Sequence, residues 1–321
     1  MYRLRVLTRS VVAIVGLALG LAPTAGANAI YNFDALTASD PTTSSPVLLG
    51  TSTIGAVGQD NWVWTSTAAN VNGAIVRNDV RPGFTGNWSA AYVGTTNGQF
   101  DAINTRKNDA NWSYSIAPTD NQVIVGADLL LGSTNNPGEI NHRAEVALGY
   151  DTNNDGKIRP TAATGDNSEI AFFFGFDSTG PGWYLRPAAF GTAVTFNANP
   201  SGVWHAEAVV DLSANGGDGS GTLYVQQLFD AAGNSVVDSL HTVSPSLTNL
   251  NMGIKRMQTV AGGSAAAATP SNWNGLMTRY SGNGGIDNIT IDSSNVPEPT
   301  CVSLLVLAGV AIAHRTRRQG R

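Results

Sequence analysis

The chain has 321 residues, of which 42% are hydrophobic and 13% charged, and it carries a formal net charge of −5 at pH 7. The two ends contribute seven arginines and one acidic residue, so the segment between them holds 11 basic and 22 acidic residues, a net charge of −11. A body this acidic repels nucleic acid and anionic lipid headgroups, which excludes nucleic-acid binding and favours cations.

The first 29 residues have the pattern of an export signal. Three arginines and no acidic residue precede an apolar run over 10–22, which is as long as a signal-peptide core and too short for a comfortable membrane span. Two motifs then fit the small-x-small pattern that a signal peptidase reads, Ala25-Gly26-Ala27 and Ala27-Asn28-Ala29. We predict a signal peptide over 1–29 that is cleaved, and the alternative is an uncleaved anchor.

Short β-prone runs alternate with clusters of Gly, Asn, Asp, Ser and Thr throughout the body. The predicted strands, in chain order, are 30–34, 74–77, 89–93, 122–131, 143–150, 169–176, 204–212, 221–228 and 286–291. The run 122–131 (QVIVGADLLL) is too continuously apolar to be exposed on both faces. This spacing predicts an all-β sandwich or barrel, and no period of 20 to 50 residues indicates a repeat array.

The segment 151–158 (DTNNDGKI) has the spacing of the first half of a calcium loop, with oxygen side chains at positions 1, 3 and 5 and Gly156 at position 6. Position 12 is Ala162 rather than a glutamate, which departs from the EF-hand pattern. An Asn/Asp-rich hairpin turn that binds no metal is the alternative. The predicted calcium ligands are Asp151, Asn153, Asp155, the carbonyl of Lys157 and, as a late carboxylate, Asp166.

Aromatic rings near turns are candidates for stacking on sugar rings. Trp183 and Tyr184 follow the turn-forming Gly180-Pro181-Gly182 and are the predicted carbohydrate-binding residues. The alternative is that this pair packs under a loop.

The runs 204–212 (WHAEAVVDL) and 221–228 (GTLYVQQL) form a predicted hairpin around a Gly/Asp-rich turn. With the closing run 284–291 (GGIDNITI), this hairpin resembles parts of the concanavalin-like lectin, glucanase and laminin-G-like jelly rolls. The resemblance implies two stacked antiparallel sheets, in a superfamily that includes sugar binders, glucanases and adhesion modules. Fold alone does not choose among these functions.

Catalytic patterns are weak in the body. Retaining glucanases of the concanavalin-like fold use two glutamates on one strand with an aspartate between them, which places acid and nucleophile about 5 Å apart. No two of the four body glutamates have that spacing: Glu139, Glu145, Glu169 and Glu207. His205, Glu207 and Asp211 share one face of a predicted strand, which we interpret as solvated surface. We therefore predict no catalytic residue.

The C-terminus combines a Pro-Glu-Pro triplet, an uncharged apolar run over 300–313 and an arginine-rich end. An apolar run followed by cations is typical of a short membrane span whose positive end stays cytoplasmic. Behind a signal peptide, this arrangement resembles the PEP-CTERM sorting signal, which implies processing by an exosortase of exopolysaccharide-producing bacteria. A plain membrane anchor is the alternative. The matching residues are Pro297, Glu298, Pro299, Arg315, Arg317 and Arg318.

Three regions are therefore expected: the signal peptide over 1–29, an antiparallel jelly-roll β-sandwich over 30–295, and a sorting signal over 296–321 with a short transmembrane helix at 300–313. Cys301 is the only cysteine, so no internal disulfide stabilises the body. The expected location is exported, anchored in the membrane before the tail is processed, and then cell-surface or extracellular.

The expected function is non-enzymatic binding or organisation of polysaccharide, with calcium as the candidate cofactor. One alternative is a structural matrix or adhesion protein without a sugar ligand. Another is a glycoside hydrolase or lyase of the same fold, which would lose turnover in Glu207→Gln. The expected partners are polysaccharide or the cell-surface matrix, an exosortase-like enzyme and the membrane.

Overall fold

The computed structural model describes residues 29–39, 47–49, 58–64, 74–79, 84, 86–91, 102–107, 121–132, 143–150, 158, 170–177, 182–187, 194–196, 200–254, 273, 275–281 and 284–294. The chain divides into two units, and these residues belong to the unit that spans Ala27–Ser293, apart from Ser294. The predicted signal peptide up to residue 28 and the predicted sorting signal lie outside the described residues.

Fifteen strands lie in the described part of the chain. In chain order they are β1 Ala29–Tyr31, β2 Val63–Trp64, β3 Ala74–Arg77, β4 Trp88–Ala91, β5 Ala102–Lys107, β6 Gln122–Leu131, β7 Arg143–Gly149, β8 Ile170–Asp177, β9 Gly182–Pro187, β10 Val194–Phe196, β11 Gly202–Asp211, β12 Ser220–Phe229, β13 Leu250–Asn251, β14 Gly275–Ser281 and β15 Gly285–Ser294. β6 has the predicted bounds, and β1 is shorter than predicted because the chain turns where the Leu36 amide donates to the Phe33 carbonyl at 3.0 Å.

The strands form two sheets of antiparallel pairs. The first sheet has the order β13-β12-β11-β6-β15-β4-β3, with β1 also paired to β15, and the second has the order β10-β9-β8-β7-β14-β5-β2. The chain repeatedly crosses from one sheet to the other, and its first and last described strands pair through Ile30 and Thr290. This topology confirms the predicted all-β antiparallel jelly-roll sandwich.

The core lies between the sheets and follows the period-two alternation of each strand. In β11, Ala206, Ala208 and Val210 are buried in the main core cluster, whereas His205 and Glu207 on the opposite face are only partly covered. In β8 the main core cluster takes Phe172, Phe174 and Phe176 from the second sheet. Full burial of one such aromatic ring stabilises the fold by about 1.5–3 kcal/mol, so these strands hold the sandwich together.

Helical structure is limited to short turns in the described residues, such as the four-residue segment Ala214–Gly217 between β11 and β12. Within those residues, no helix has both the length and the apolar character needed to cross a membrane. The predicted transmembrane segment 300–313 falls outside the described residues and stays a prediction.

Candidate functional site

A cluster of polar side chains lies on the outward face of the first sheet, where β11, β6 and β15 are neighbours. We call it the polar cluster and define it as Asp128, His205, Glu207 and Asn288. The strand register places His205 opposite Asp128 and Glu207 opposite Gly126. Because alternate residues of a strand point to one face, His205 and Glu207 both point away from the core.

Hydrogen bonds fix the carboxylate of Asp128 from two sides. His205 Nδ1 lies 2.8 Å from Asp128 Oδ1, and Asn288 Nδ2 donates to Asp128 Oδ2 at 2.9 Å. His205 Nε2 lies 3.9 Å from the Glu207 carboxylate. The side chains of His205 and Glu207 are both 25% exposed, so this ordered array is open to solvent.

Gly126 allows the groups above it to approach the sheet. A Cβ atom at this position would lie 2.7 Å from Thr290 Oγ1 and 3.2 Å from His205 Nε2, both too close for an ordinary contact. The missing side chain therefore lets the imidazole of His205 and the hydroxyl of Thr290 lie across the strand.

His205 is a cation at neutral pH. Burial by itself would lower the pKa of His205, but hydrogen bonds to Asp128 and Glu207, and the charges of both carboxylates, raise it to about 9. A protonated imidazole donates hydrogen bonds and cannot accept a proton, so His205 is a poor general base near pH 7. The arrangement suits binding better than catalysis.

The next strand extends the polar cluster. Tyr224 of β12 lies directly across from Glu207, and Gln226 lies across from His205. Both side chains are partly exposed. Tyr224 thus adds an aromatic ring, and Gln226 an amide, to the edge of the charged array.

Asp287 lies beside the polar cluster but beneath the surface. It is 5% exposed, and its Oδ1 atom has no hydrogen-bond partner in the described structure. Burial raises the pKa of Asp287 to about 7, and the charges of Asp128 and Asp34 add to that effect, against hydrogen bonds from the backbone of Asn288 and Phe33. This carboxyl group therefore titrates near neutral pH.

A second group of charges lies on the face of the second sheet that points away from the core. We call it the ion network and define it as Arg143, Glu145, Asp177 and Arg279. Arg143 Nε lies 3.0 Å from Glu145 Oε1 and donates to Asp177 Oδ2 at 2.8 Å, while Arg279 Nη1 lies 3.6 Å from Glu145 Oε2. Two cations and two carboxylates thus alternate across β14, β7 and β8.

Glu145 is the buried centre of the ion network. Desolvation raises the pKa of Glu145, although the charges of Arg279 and Arg143 and the hydroxyl of Tyr184 oppose that rise. Burial also raises the pKa of Tyr184, and the Glu145 carboxylate beside it acts in the same direction. Glu145 Oε2 is buried and has no hydrogen-bond partner among the described residues.

Burial argues against the prediction that Trp183 and Tyr184 form a sugar platform. Trp183 is 0% and Tyr184 3% exposed, because both lie within β9 rather than at a turn. Trp183 packs between the sheets against Phe176, with ring centroids 5.4 Å apart, and Tyr184 packs against Phe173 at 5.6 Å. Neither ring offers a free face for stacking on a sugar.

The predicted calcium ligands and sorting residues lie outside the described residues and stay predictions: Asp151, Asn153, Asp155, Lys157 and Asp166 for calcium, and Pro297, Glu298, Pro299, Arg315, Arg317 and Arg318 for sorting. Among the residues that the structure describes, no group of three or more His, Cys, Asp or Glu side chains is arranged to hold a metal ion. A calcium site therefore remains a proposal for 151–166.

Sequence reasoning identified the shared face of His205 and Glu207 but missed their partners. Asp128 and Asn288 lie on predicted strands, yet they are 77 and 83 residues away from His205 in the chain. The available signals were Asp128 within the apolar run 122–131 and Asn288 within the closing run 286–291. Only the pairing of distant strands brings these residues together.

Comparisons with known proteins give weak likenesses. No protein-family model and no curated protein matches this sequence. Among solved structures, the chain is similar to a sialidase (13% identity over 73% of this chain, TM-score 0.30), of whose length it spans only 17%. It is also similar to a GH131 β-glucanase catalytic domain from Podospora anserina (10% identity, 73% of this chain and 84% of that chain, TM-score 0.31).

A basic winged bean lectin, solved with Tn-antigen, is a further likeness (8% identity, 84% of this chain and 99% of that chain, TM-score 0.27). Scores this low carry no argument about function. The fold assignment rests on the strand pairing described above.

Proposed function

We propose that the protein binds polysaccharide through the polar cluster on the outward face of its first sheet. The observation that carries this proposal is the Asp128 carboxylate, which His205 and Asn288 hold from both sides while His205 and Glu207 stay partly exposed. Sugar hydroxyls donate and accept hydrogen bonds, so they match an array that presents imidazolium, amide and carboxylate groups together. Because the array is already fixed, little conformational entropy is lost on binding.

A neutral polysaccharide fits the site better than a charged one. The body carries a net charge of −11, which repels a polyanion before it reaches the sheet. Tyr224 lies beside Glu207, where an aromatic ring can pack on the apolar face of a sugar. The ligand we propose is an uncharged chain whose hydroxyls meet Glu207 and His205.

The predicted sorting signals extend the proposal to a location. A cleaved signal peptide and an exosortase-processed tail would place this body at the cell surface, where exopolysaccharide is the available polymer. Calcium at 151–166 would stabilise that segment. These parts of the proposal rest on the sequence patterns alone.

Binding to a panel of insoluble neutral polysaccharides tests the proposal, with an anionic polysaccharide as comparison and with calcium or chelator in parallel. We expect retention of the wild-type protein on a subset of the neutral polymers and its loss in His205→Ala and Glu207→Gln. Asp230→Asn is a matched control, since it removes one carboxylate from an exposed turn after β12. Equal retention of all four proteins would refute the assignment of this face.

A glycoside hydrolase or lyase is the second candidate function, and the ion network favours it. Glu145 is a buried carboxyl whose pKa is raised, as a general acid requires, and Arg143 joins it to a second carboxylate, Asp177. Turnover of a polysaccharide that disappears in Glu145→Gln and persists in Glu207→Gln would support this alternative. A structural matrix protein would show neither turnover nor retention on any polymer.

A further inference from the structure

We propose that the buried carboxyl group of Asp287 makes the polar cluster respond to pH, and that Asn288 transmits the change. The effect on sugar binding rests on the proposed function, because the polar cluster is the proposed sugar site. Asp287 itself is buried and is not a member of the polar cluster.

The position of Asp287 in the fold is unusual for a carboxyl group. β15 runs between β6 and β4, and Asp287 is 5% exposed there while Asn288 beside it is exposed. The backbone amides of Asn288 and Phe33 lie near enough to lower the pKa of its carboxyl group, but its Oδ1 atom has no hydrogen-bond partner in the described structure. An ionised carboxylate is costly when one oxygen is left without a donor in a buried place.

The charged groups that face Asp287 make ionisation more costly still. Asp34 faces it from the turn after β1, and Asp128 faces it from β6. On the β4 side, Asn87 and Ser89 are uncharged. The backbone amide of Asn87 donates to Asp34 Oδ1 at 2.8 Å, and the Ser89 hydroxyl donates to the Ile286 carbonyl at 2.9 Å. The cation of the polar cluster, His205, pairs with Asp128 Oδ1 at 2.8 Å. The carboxylates of Asp34 and Asp128 thus face Asp287 from two elements, and both oppose its ionisation.

Asn288 follows Asp287 directly in the chain and joins this buried group to the surface. Its backbone amide lowers the pKa of Asp287, and its side-chain amide donates to Asp128 Oδ2 at 2.9 Å. Asp128 Oδ1 then holds His205 at 2.8 Å. Asn288 has a φ of 48°, a left-handed conformation that asparagine tolerates better than most residues.

Ionisation of Asp287 therefore changes the polar cluster in two ways. It adds a negative charge behind Asp128, and it strengthens the pull on the backbone amide of Asn288. Since burial and the two neighbouring carboxylates place the pKa of Asp287 at about 7, the change falls in the neutral range rather than near pH 4. The protonated form leaves one negative charge fewer beside the Asp128 carboxylate, so we expect the affinity for sugar to differ between pH 6 and pH 8.

Nuclear magnetic resonance without any sugar tests the coupling. The probes are the side-chain amide of Asn288 and the ring of His205, followed from pH 5 to pH 9 in wild-type protein and in Asp287→Asn. We expect both probes to show an inflection near pH 7 in the wild type, separate from the ionisation of His205 itself near pH 9. Asp287→Asn should abolish the inflection near pH 7 and keep the one near pH 9.

A second variant keeps the test valid if Asp287→Asn does not fold. Asp34→Asn removes one of the two charges that face Asp287, so the inflection should move to lower pH. An inflection that persists in Asp287→Asn, or that does not move in Asp34→Asn, would overturn the proposal, as would its absence from the wild type. Failure to bind polysaccharide would leave these titrations unchanged, so the two proposals fail separately.

Discussion

Trp183 of β9 and Trp204 of β11 pack edge to face across the sandwich, with ring centroids 5.6 Å apart and planes inclined at 62°. The two rings come from different sheets, so their contact ties the sheets together. Phe176 also packs against Trp183, with ring centroids 5.4 Å apart. Trp183 is therefore a structural residue of the core.

Trp183→Ala should lower the free energy of unfolding by about 3–5 kcal/mol, because it removes a fully buried ring and leaves a cavity. Denaturant titration measures the change. Val237→Ala is the control, since that side chain is fully exposed and should alter stability by less than about 0.5 kcal/mol. A variant of normal stability that lost polysaccharide binding would instead restore the sugar-platform prediction.

Gly126→Ala should disturb the polar cluster directly. The new methyl group would meet the Thr290 hydroxyl and the His205 ring, and we expect it to displace the imidazole from Asp128 and so to lower the pKa of His205. A titration of the His205 ring measures that pKa. Combining Gly126→Ala with Thr290→Ala removes the nearer clash, so the pKa of His205 should return part of the way to its wild-type value. An unchanged pKa in the single variant would contradict the packing described here.

Asp287 should make the folded state less stable as the pH rises from about 4 to about 7. Its folded pKa is raised above the unfolded value of 3.8, so the native state holds the proton over this window and the unfolded state does not. Each pH unit within the window then lowers the free energy of unfolding by up to about 1.4 kcal/mol. Comparison of denaturation curves for wild type and Asp287→Asn isolates this contribution, and parallel pH profiles would contradict it.

His205 should change the stability of the folded state at higher pH than Asp287 does. Its pKa is raised from 6.5 to about 9, so its stabilising charge pairs are complete below pH 6.5 and are lost as the pH rises toward 9. His205→Gln keeps a hydrogen-bonding side chain and should flatten the fall in melting temperature between pH 7 and pH 9. His241→Gln is the matched control, because His241 lies in an exposed segment. The same flattening in both variants would show that the effect is not specific to the polar cluster.

Arg143→Ala should destabilise the protein by about 3–5 kcal/mol, since it leaves Glu145 and Asp177 without the cation that joins them. Thermal or chemical denaturation measures the loss. Replacing the carboxyl groups as well, in Arg143→Ala with Glu145→Gln and Asp177→Asn, removes both carboxylate charges and leaves Arg279 as the remaining charge of the ion network. Because the Arg279 side chain is 27% exposed and can be solvated, part of the stability should be recovered. A triple variant no more stable than Arg143→Ala would show that packing of the arginine stem matters more than its charge.

The sequence by itself determined the class of the fold. The order of apolar and polar residues is a local property of each strand. The bounds of β6, which is continuously apolar, and the buried face of β11, which alternates, could therefore be predicted without knowing any partner. β14 (GLMTRYS) was not predicted, because its residues alternate weakly and its place between β7 and β5 depends on its neighbours.

Tertiary structure alone decided which residues form the candidate sites. Trp183 and Tyr184 follow a glycine-rich turn in the sequence, yet β9 pairs with β8 and buries both rings. Asp128, His205 and Asn288 come from three strands far apart in the chain. The physical reason is that periodicity reports only which face of a strand is apolar, whereas the distance between two polar groups depends on which strands pair and in which register.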